Sequence, residues 1–222
     1  MDQYLDVKIC CDTEFLNHKG LDIANFDILD DVCDTKPLHV LLRGTQTIKD
    51  LIETIAKAEN VQPEQLKLRR FAELSSGVIR PHELMTDLQM TIETVQKEYF
   101  TKFPECRFWL ECIEPNELQT HPFFKDPTPS NPHRLLFLKY YDPLVPELLG
   151  KKHVYVDSTK KAMELVPMIA EMMKWDAGTN IQLFAEQLDF IPGLLLTRTL
   201  AEHEFENGDI IWFRKAPETK RA

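Results

Sequence analysis

Apolar and polar residues alternate with a period of two along several stretches of the first half of the chain. In Tyr4 to Cys11 every second residue is apolar, which predicts a strand with one buried face. Further strands are predicted at Leu38 to Leu42, Leu66 to Phe71 and Phe108 to Ile113. The first half is therefore predicted to contain four strands of one unit.

A helical period interrupts this alternation after the second strand. Thr47 is a suitable N-cap, Asp50 falls in the first turn, and apolar residues then recur at helical spacing until Asn60. The spacing predicts an amphipathic helix. Residues 75–105 show a mixed pattern that assigns no element.

Residues 17–36 carry five aspartates but only two lysines, and they lie between two predicted strands. We interpret them as an acidic insertion in the form of a solvated loop. A binding role for the acidic part, residues 22–34, is the alternative.

The second half of the chain shows the same succession of patterns. Strands are predicted at Leu135 to Tyr141, His153 to Val156, Asn180 to Glu186 and Ile210 to Phe213. Between the second and third of them, apolar residues at helical spacing predict a helix capped by Ser158 or Thr159. Its apolar residues are Ala162, Leu165, Val166, Ile169 and Met172 or Met173.

The two halves can be aligned at a nearly constant offset. The pairs His39-Val40 and His153-Val154 are 114 positions apart, and the triplets that begin at Phe71 and Phe184 are 113 apart. This agreement indicates two copies of one fold. Pro167 disturbs it, because proline costs about 3 kcal/mol in a helix interior, so that helix either kinks or begins its regular part late.

Five of the fourteen prolines lie between positions 115 and 132 and predict a linker. We therefore predict a first domain at residues 1–114, a linker at 115–132 and a second domain at 133–216. Each has a hairpin, one long helix and a returning last strand, which describes an α+β roll. Ubiquitin has this order of elements, as do other binders with its fold.

Composition and charge exclude several classes of function. The chain is 43% hydrophobic and 28% charged with a net charge of −10, which argues against nucleic acid and favours basic partners. It has no apolar run long enough for a membrane span and no signal sequence, so we expect an intracellular protein. The ending Pro217 to Ala222 lacks the Gly-Gly of a ubiquitin-like modifier.

The residues also argue against catalysis. The five cysteines include no Cys-x-x-Cys pair, and no local signature marks one of them as a nucleophile. The seven histidines form no His-x-x-x-His pair, and the seven glycines form no phosphate-binding loop. We therefore expect no catalytic residues, no bound metal and no cofactor.

The stretch from Glu202 to Asp209 stands out as a binding candidate. Three glutamates, Glu202, Glu204 and Glu206, alternate into an Asn-Gly turn, and Asp209 follows before the last strand. Four carboxylates thus lie beside one turn. An ordinary solvated turn is the alternative interpretation.

Several segments resemble the herpesvirus-associated ubiquitin-specific protease family of cysteine deubiquitinases. The resemblance is most specific in Leu136 to Pro143, His153 to Tyr155 and Gly208 to Lys215. It is weaker in Val7 to Ile9, in the acidic insertion and in Pro63 to Leu68. The resemblance implies an α+β fold of two tandem ubiquitin-like β-grasp domains, which follow a catalytic domain outside this chain, and a nuclear location.

The same resemblance implies that the second domain binds lysine-rich segments of substrates or regulators. Glu204 and Asp209 match acidic positions of the family's binding surface, whereas His203 and Asn207 replace carboxylates there. Glu202 and Glu206 are neighbours that can restore this charge. The alternative hypothesis is an intramolecular module that spaces or regulates its own catalytic domain, and an enzyme ranks third.

Overall fold

The structure is a computed structural model, which describes residues 3–16, 18–26, 36–74, 77–118, 131–186 and 193–217. The chain forms two compact units. The first comprises Met1–Phe15 and Ala24–Asp126, and the second comprises Leu16–Ile23 and Pro127–Ala222. The domain bounds given above stay a prediction, and most of the predicted linker, with Phe123 and Phe124, lies outside the described residues.

The first unit is a five-stranded sheet with helices. Its strands, in the sheet order β2-β1-β5-β3-β4, are β1 (Tyr4–Cys10), β2 (Leu38–Arg43), β3 (Leu66–Glu73), β4 (Ile79–Leu84) and β5 (Cys106–Cys112). Its helices are α1 (Asp12–Phe15), α2 (Ile48–Glu59), α3 (Ile92–Tyr99) and a 3₁₀ turn at Pro63–Gln65.

The second unit is a four-stranded sheet covered on one face by a helix. Its strands, in the sheet order β7-β6-β9-β8, are β6 (His133–Asp142), β7 (Glu147–Asp157), β8 (Ile181–Ala185) and β9 (Ile210–Lys215). A 3₁₀ turn at Ala162–Glu164 continues into α4 (Leu165–Met172).

Both units have the same topology. Each opens with an antiparallel hairpin, crosses over through a helix, and ends with a strand parallel to the first strand of the unit. The third strand then pairs antiparallel with that last strand. This is the β-grasp arrangement, so the predicted α+β fold of two tandem ubiquitin-like units is confirmed.

Helix α2 begins and ends where the sequence predicts. The side chain of Asp50 accepts from the backbone N–H of Thr47 at 2.7 Å, and Thr47 Oγ1 accepts from the N–H of Asp50 at 3.2 Å. This reciprocal cap satisfies two of the N–H groups at the helix start. Asn60 ends the helix in the left-handed conformation, with φ of 57°.

The position at which the helix of the second unit begins explains how Pro167 is accommodated. Because α4 begins at Leu165, Pro167 lies in its first turn, where no intrahelical N–H bond is lost. The late start is therefore correct. The predicted cap is wrong, because Thr159 instead donates from its hydroxyl to Asp157 at 2.7 Å and Ser158 is buried.

Two elements lie in the stretch for which the sequence assigned none. β4 is an edge strand that contains Pro81, a residue that breaks the usual strand pattern. α3 spans eight residues and buries only Ile92 and Val95. Such a short apolar stripe gives too weak a period to identify a helix.

The interpretation of residues 17–36 as a solvated acidic loop agrees with the exposed residues 19–22 but not with the apolar residues that follow them. Ile23, Ala24 and Phe26 are buried, and the ring of Phe26 contacts that of Phe71 edge-on at 4.8 Å in the first unit. Asp27, Asp30, Asp31 and Asp34 lie outside the described residues. Burial of Ile23, Ala24 and Phe26 therefore holds this part of the connection against the protein.

Residues 18–23 are attached to the second unit through a buried lysine. Lys139 of β6 has no exposed surface, and its ammonium group donates to the carbonyl oxygens of Gly20, at 2.6 Å, and of Asp22. It also lies 3.1 Å from Nδ1 of the buried His18. An ammonium group can only donate, so Nδ1 accepts and the proton of His18 lies on Nε2.

Two backbone bonds continue this attachment. The N–H of Gly20 donates to Leu148 O at 3.0 Å, and the N–H of Gly150 donates to His18 O at 2.9 Å. Lys19 also pairs with Glu147 at 2.9 Å. The segment therefore lies against β7 as well as β6.

Replacing Lys139 by methionine is expected to loosen this segment. Leaving a buried polar group without its partner costs about 1–3 kcal/mol, so amide hydrogen exchange at Gly20 and Gly150 should accelerate at least about tenfold, equivalent to ~1.4 kcal/mol. Lys152→Met is the matched control, because Lys152 is exposed on β7 of the same sheet. Unchanged exchange in Lys139→Met would refute the anchoring role.

Candidate partner-binding turn

The four candidate carboxylates lie in the connection that leads into β9 of the second unit. The start of this connection is held by backbone bonds: Leu200 N–H donates to Lys160 O at 2.9 Å, and Ala201 N–H donates to Ser158 O at 2.7 Å. The connection therefore has a defined position from Leu200 onward. We call residues Glu202 to Asp209 the acidic turn.

The end of the acidic turn is fixed to β6. Asn207 is buried and its side-chain oxygen accepts from the N–H of Leu135 at 2.9 Å, while Gly208 N–H donates to Leu135 O at 2.8 Å. Gly208 has φ of +93°, a conformation that side chains disfavour. The Asn-Gly pair predicted from sequence thus forms a turn, but Asn207 serves as an internal hydrogen-bond acceptor.

Glu202 is held by a reciprocal pair of hydrogen bonds with Thr199. The Glu202 carboxylate accepts from Thr199 N–H at 2.7 Å and from its hydroxyl at 2.9 Å, and Thr199 Oγ1 accepts from Glu202 N–H at 3.1 Å. The backbone bond from Thr199, followed by the side-chain bond, lowers the pKa of Glu202. The carboxylate is exposed but oriented by its own loop.

Asp209 also has a local structural role. Its carboxylate accepts from the N–H of Glu206 at 2.7 Å, and its backbone oxygen accepts from Phe137 N–H at 2.9 Å. The residue is half-buried. Asp209 therefore closes the turn before the strand and presents only part of its carboxylate to a partner.

Glu204 and Glu206 are exposed, as Glu202 is. Within the described parts of the chain, no hydrogen-bond donor or cation pairs with either side chain. Glu204 adopts the left-handed conformation, with φ of 58°. His203 lies between Glu202 and Glu204, and its Nε2 donates to Leu195 O at 3.1 Å. Its ring is therefore bonded within the loop and does not replace the negative charge of a carboxylate.

The acidic turn thus has three exposed glutamates within five residues. Such a group of carboxylates attracts cations, although Arg198 contributes an opposing positive charge near Glu202. The structure brings the four predicted residues onto one turn. It separates them into Glu202 and Asp209, which are engaged locally, and Glu204 and Glu206, which are not.

The four thiols that the structure describes have raised pKa values. Burial raises the pKa of Cys106 to about 12 and that of Cys11 to about 11, and it raises the pKa of Cys10 and Cys112 as well. These thiols stay protonated at neutral pH, whereas cysteine attacks as a thiolate. Cys33 lies outside the described residues.

The described residues lack two features. They contain no group of three or more histidine, cysteine, aspartate or glutamate side chains arranged to hold a metal ion. They also contain no helix with the length and apolar character needed to cross a membrane.

Comparison with known proteins gives three findings. Residues 75–222 match the model of the ICP0-binding domain of ubiquitin-specific protease 7. Over 220 residues the chain is 26% identical to ubiquitin C-terminal hydrolase 12 of Arabidopsis thaliana. The aligned region covers 96% of this chain and 19% of that protein. The chain therefore spans about a fifth of the length of this relative.

The third finding is a solved structure. The solution structure of the C-terminal ubiquitin-like domain of mouse tubulin-specific chaperone e matches 39% of this chain and 92% of that domain. The match has a TM-score of 0.31 and 16% sequence identity.

Replacing Thr199 by alanine is expected to raise the pKa of Glu202 towards its ordinary value, because one of the two bonds that stabilise the carboxylate is lost. A lowered pKa stabilises the folded state above the unfolded pKa, and this contribution disappears as the pH falls through the folded pKa. Titration of the side-chain carboxyl carbon by NMR measures the shift. The exposed Thr197→Ala is the control, and a pKa unaltered by Thr199→Ala would contradict the assigned cause.

Proposed function

Because this chain belongs to the family of the ICP0-binding domain of ubiquitin-specific protease 7, we propose that it is a non-catalytic docking module of a ubiquitin-specific cysteine protease. In this proposal the acidic turn binds lysine-rich segments of substrates or regulators. The catalytic domain lies outside these 222 residues.

The observation that supports this function is the exposure of Glu204 and Glu206 on an ordered turn. Their carboxylates have no donor among the described residues, so a partner's ammonium group meets charges that are not already compensated. The turn is held to β6 by Asn207 and Gly208. A preorganised site loses less conformational entropy on binding than a mobile loop does.

The energetics require several charges to act together. One exposed ion pair contributes about 0.2 to 1 kcal/mol, which gives no useful affinity alone. A segment with several lysines can interact with Glu202, Glu204 and Glu206 at once. Asp209 contributes a smaller share, because part of its carboxylate already accepts from the backbone.

Charge reversal at Glu204 and Glu206 tests the docking site. A peptide with several lysines should bind the double variant Glu204→Lys, Glu206→Lys about tenfold more weakly than the unaltered chain, since two attractions become repulsions. Calorimetric titration at two ionic strengths measures the affinity. Binding to the unaltered chain should weaken at high salt, because exposed charges are screened within roughly 8 Å at physiological ionic strength.

The matched control for this experiment is the double variant Glu64→Lys, Glu98→Lys, which makes the same total charge change at two exposed glutamates of the first unit. Its affinity should stay close to that of the unaltered chain. Equal affinities for the control and for Glu204→Lys, Glu206→Lys would show that net charge, and not the acidic turn, governs binding.

A second candidate function is intramolecular regulation of the attached catalytic domain. The chain covers 19% of the matched hydrolase. Most of that relative therefore lies outside the aligned region and can interact with the corresponding segment. Adding this chain in trans to an isolated catalytic domain of the family should then change the rate of ubiquitin cleavage. A rate change without peptide binding favours regulation, and peptide binding without a rate change favours docking alone.

A further inference from the structure

The sheet of the second unit has a groove on the face opposite α4. Tyr140 and Phe213, which pair across β6 and β9, pack against the core. Side chains alternate between the faces of a strand, so Tyr141, Trp212 and Arg214 lie on the other face. Together with Lys19, Leu21 and Leu148 they line a groove of about 700 Å³, which we call the aromatic groove.

Stacked aromatic rings form one part of this groove. The ring of Trp212 stacks on that of Phe184, with centroids 3.9 Å apart and planes 9° apart, and lies 5.7 Å from the ring of Tyr141. Stacking restricts the side-chain rotamers before any ligand binds. The groove therefore offers an apolar aromatic surface, the kind that serves as an anchor at protein interfaces.

Trp212 carries a hydrogen-bond donor without an acceptor. The residue is 9% exposed, and its Nε1 is buried with no hydrogen-bond partner among the described residues. Buried polar groups in native proteins nearly always have a partner. An acceptor supplied by a bound molecule would satisfy this N–H after a small shift of the ring.

Arg214 supplies a positive charge to the same groove. Its Nε donates to Gln182 Oε1 at 2.9 Å, and its guanidinium group lies 5.4 Å from the ring centroid of Phe184. These contacts orient the group, and no described residue accepts from its two terminal nitrogens. The paired N–H groups of an arginine match the two oxygens of a carboxylate.

The remaining charges of the groove cancel. Lys19 and Glu147 pair at 2.9 Å, which leaves the Arg214 guanidinium uncompensated among the lining residues. This local positive charge contrasts with the net charge of −10 of the chain. Charge complementarity therefore selects an acidic ligand.

Apolar surface continues beyond the groove at the tip of the β6–β7 hairpin. Leu144 is 90% exposed and Val145 is 52% exposed, next to Pro146 and Leu148 of the groove wall. Contiguous exposed apolar residues mark interaction surfaces. A ligand that fits both the groove and this tip is extended and has more than one apolar side chain.

We propose that the aromatic groove binds an extended peptide segment of a partner protein that carries carboxylates next to large apolar side chains. One carboxylate bonds to Arg214, an acceptor of the peptide satisfies Trp212 Nε1, and an apolar side chain packs against Tyr141 and Leu148. This site differs from the acidic turn in charge and in position on the sheet. It would give the module a second, oppositely charged specificity.

The experiment uses the whole 222-residue chain and a blocked peptide of alternating glutamate or aspartate with phenylalanine and leucine. Calorimetry should detect binding, and the indole N–H signal of Trp212 should shift in NMR spectra. Arg214→Gln should weaken binding about tenfold. Trp212→Phe, which keeps the stacked ring but lacks the N–H, should weaken it without unfolding the unit.

The controls separate this groove from the acidic turn. A peptide with lysine in place of the acidic residues should not shift the Trp212 signal, and Glu204→Lys should leave affinity for the acidic peptide within twofold. The proposal is overturned by absent binding, by equal affinity of Arg214→Gln, or by a Trp212 shift with the lysine peptide. Concentration-dependent dimerisation abolished by Arg214→Gln would also overturn it, because a second copy would then be the occupant.

Discussion

Each unit of this protein depends on the parallel pairing of its first and last strands. A parallel pair cannot be joined by a tight hairpin, so the helix and the third strand must lie between its members in the sequence. In the first unit the pair is β1 with β5, and in the second it is β6 with β9. The hydrophobic core follows from this pairing, because the crossover helix has to cover one face of the sheet.

The same pairing positions both surfaces to which we assign a function. The acidic turn is the approach to β9, and it is held in place by bonds to Leu135 and Phe137 of β6. The aromatic groove lies on the outer face of the same two strands, around Trp212. The parallel pairing of β6 and β9 thus supports both the anionic acidic turn and the cationic aromatic groove on one unit.

The connection between β1 and β2 shows how charge and burial compete within one segment. Its aspartates give it the composition of a solvated loop, yet Ile23 and Phe26 are buried and the carbonyl groups of Gly20 and Asp22 bind Lys139. Burying a lysine is unfavourable unless its donors are satisfied. Backbone carbonyls and His18 satisfy them here, which gives a polar anchor inside a unit otherwise stabilised by apolar packing.

The sequence by itself determined the elements with a strong period or a complete cap, together with the repeat that relates the two halves. Helix α2, with Thr47 and Asn60 at its ends, is the clearest case, because capping and periodicity act locally. It also determined that four carboxylates lie beside one turn. The structure shows which of them is available, since Glu202 and Asp209 form local bonds with Thr199 and with the Glu206 backbone. Only the tertiary structure decided the burial of Lys139 and the face on which Trp212 lies, because both depend on which distant residues meet across the sheet.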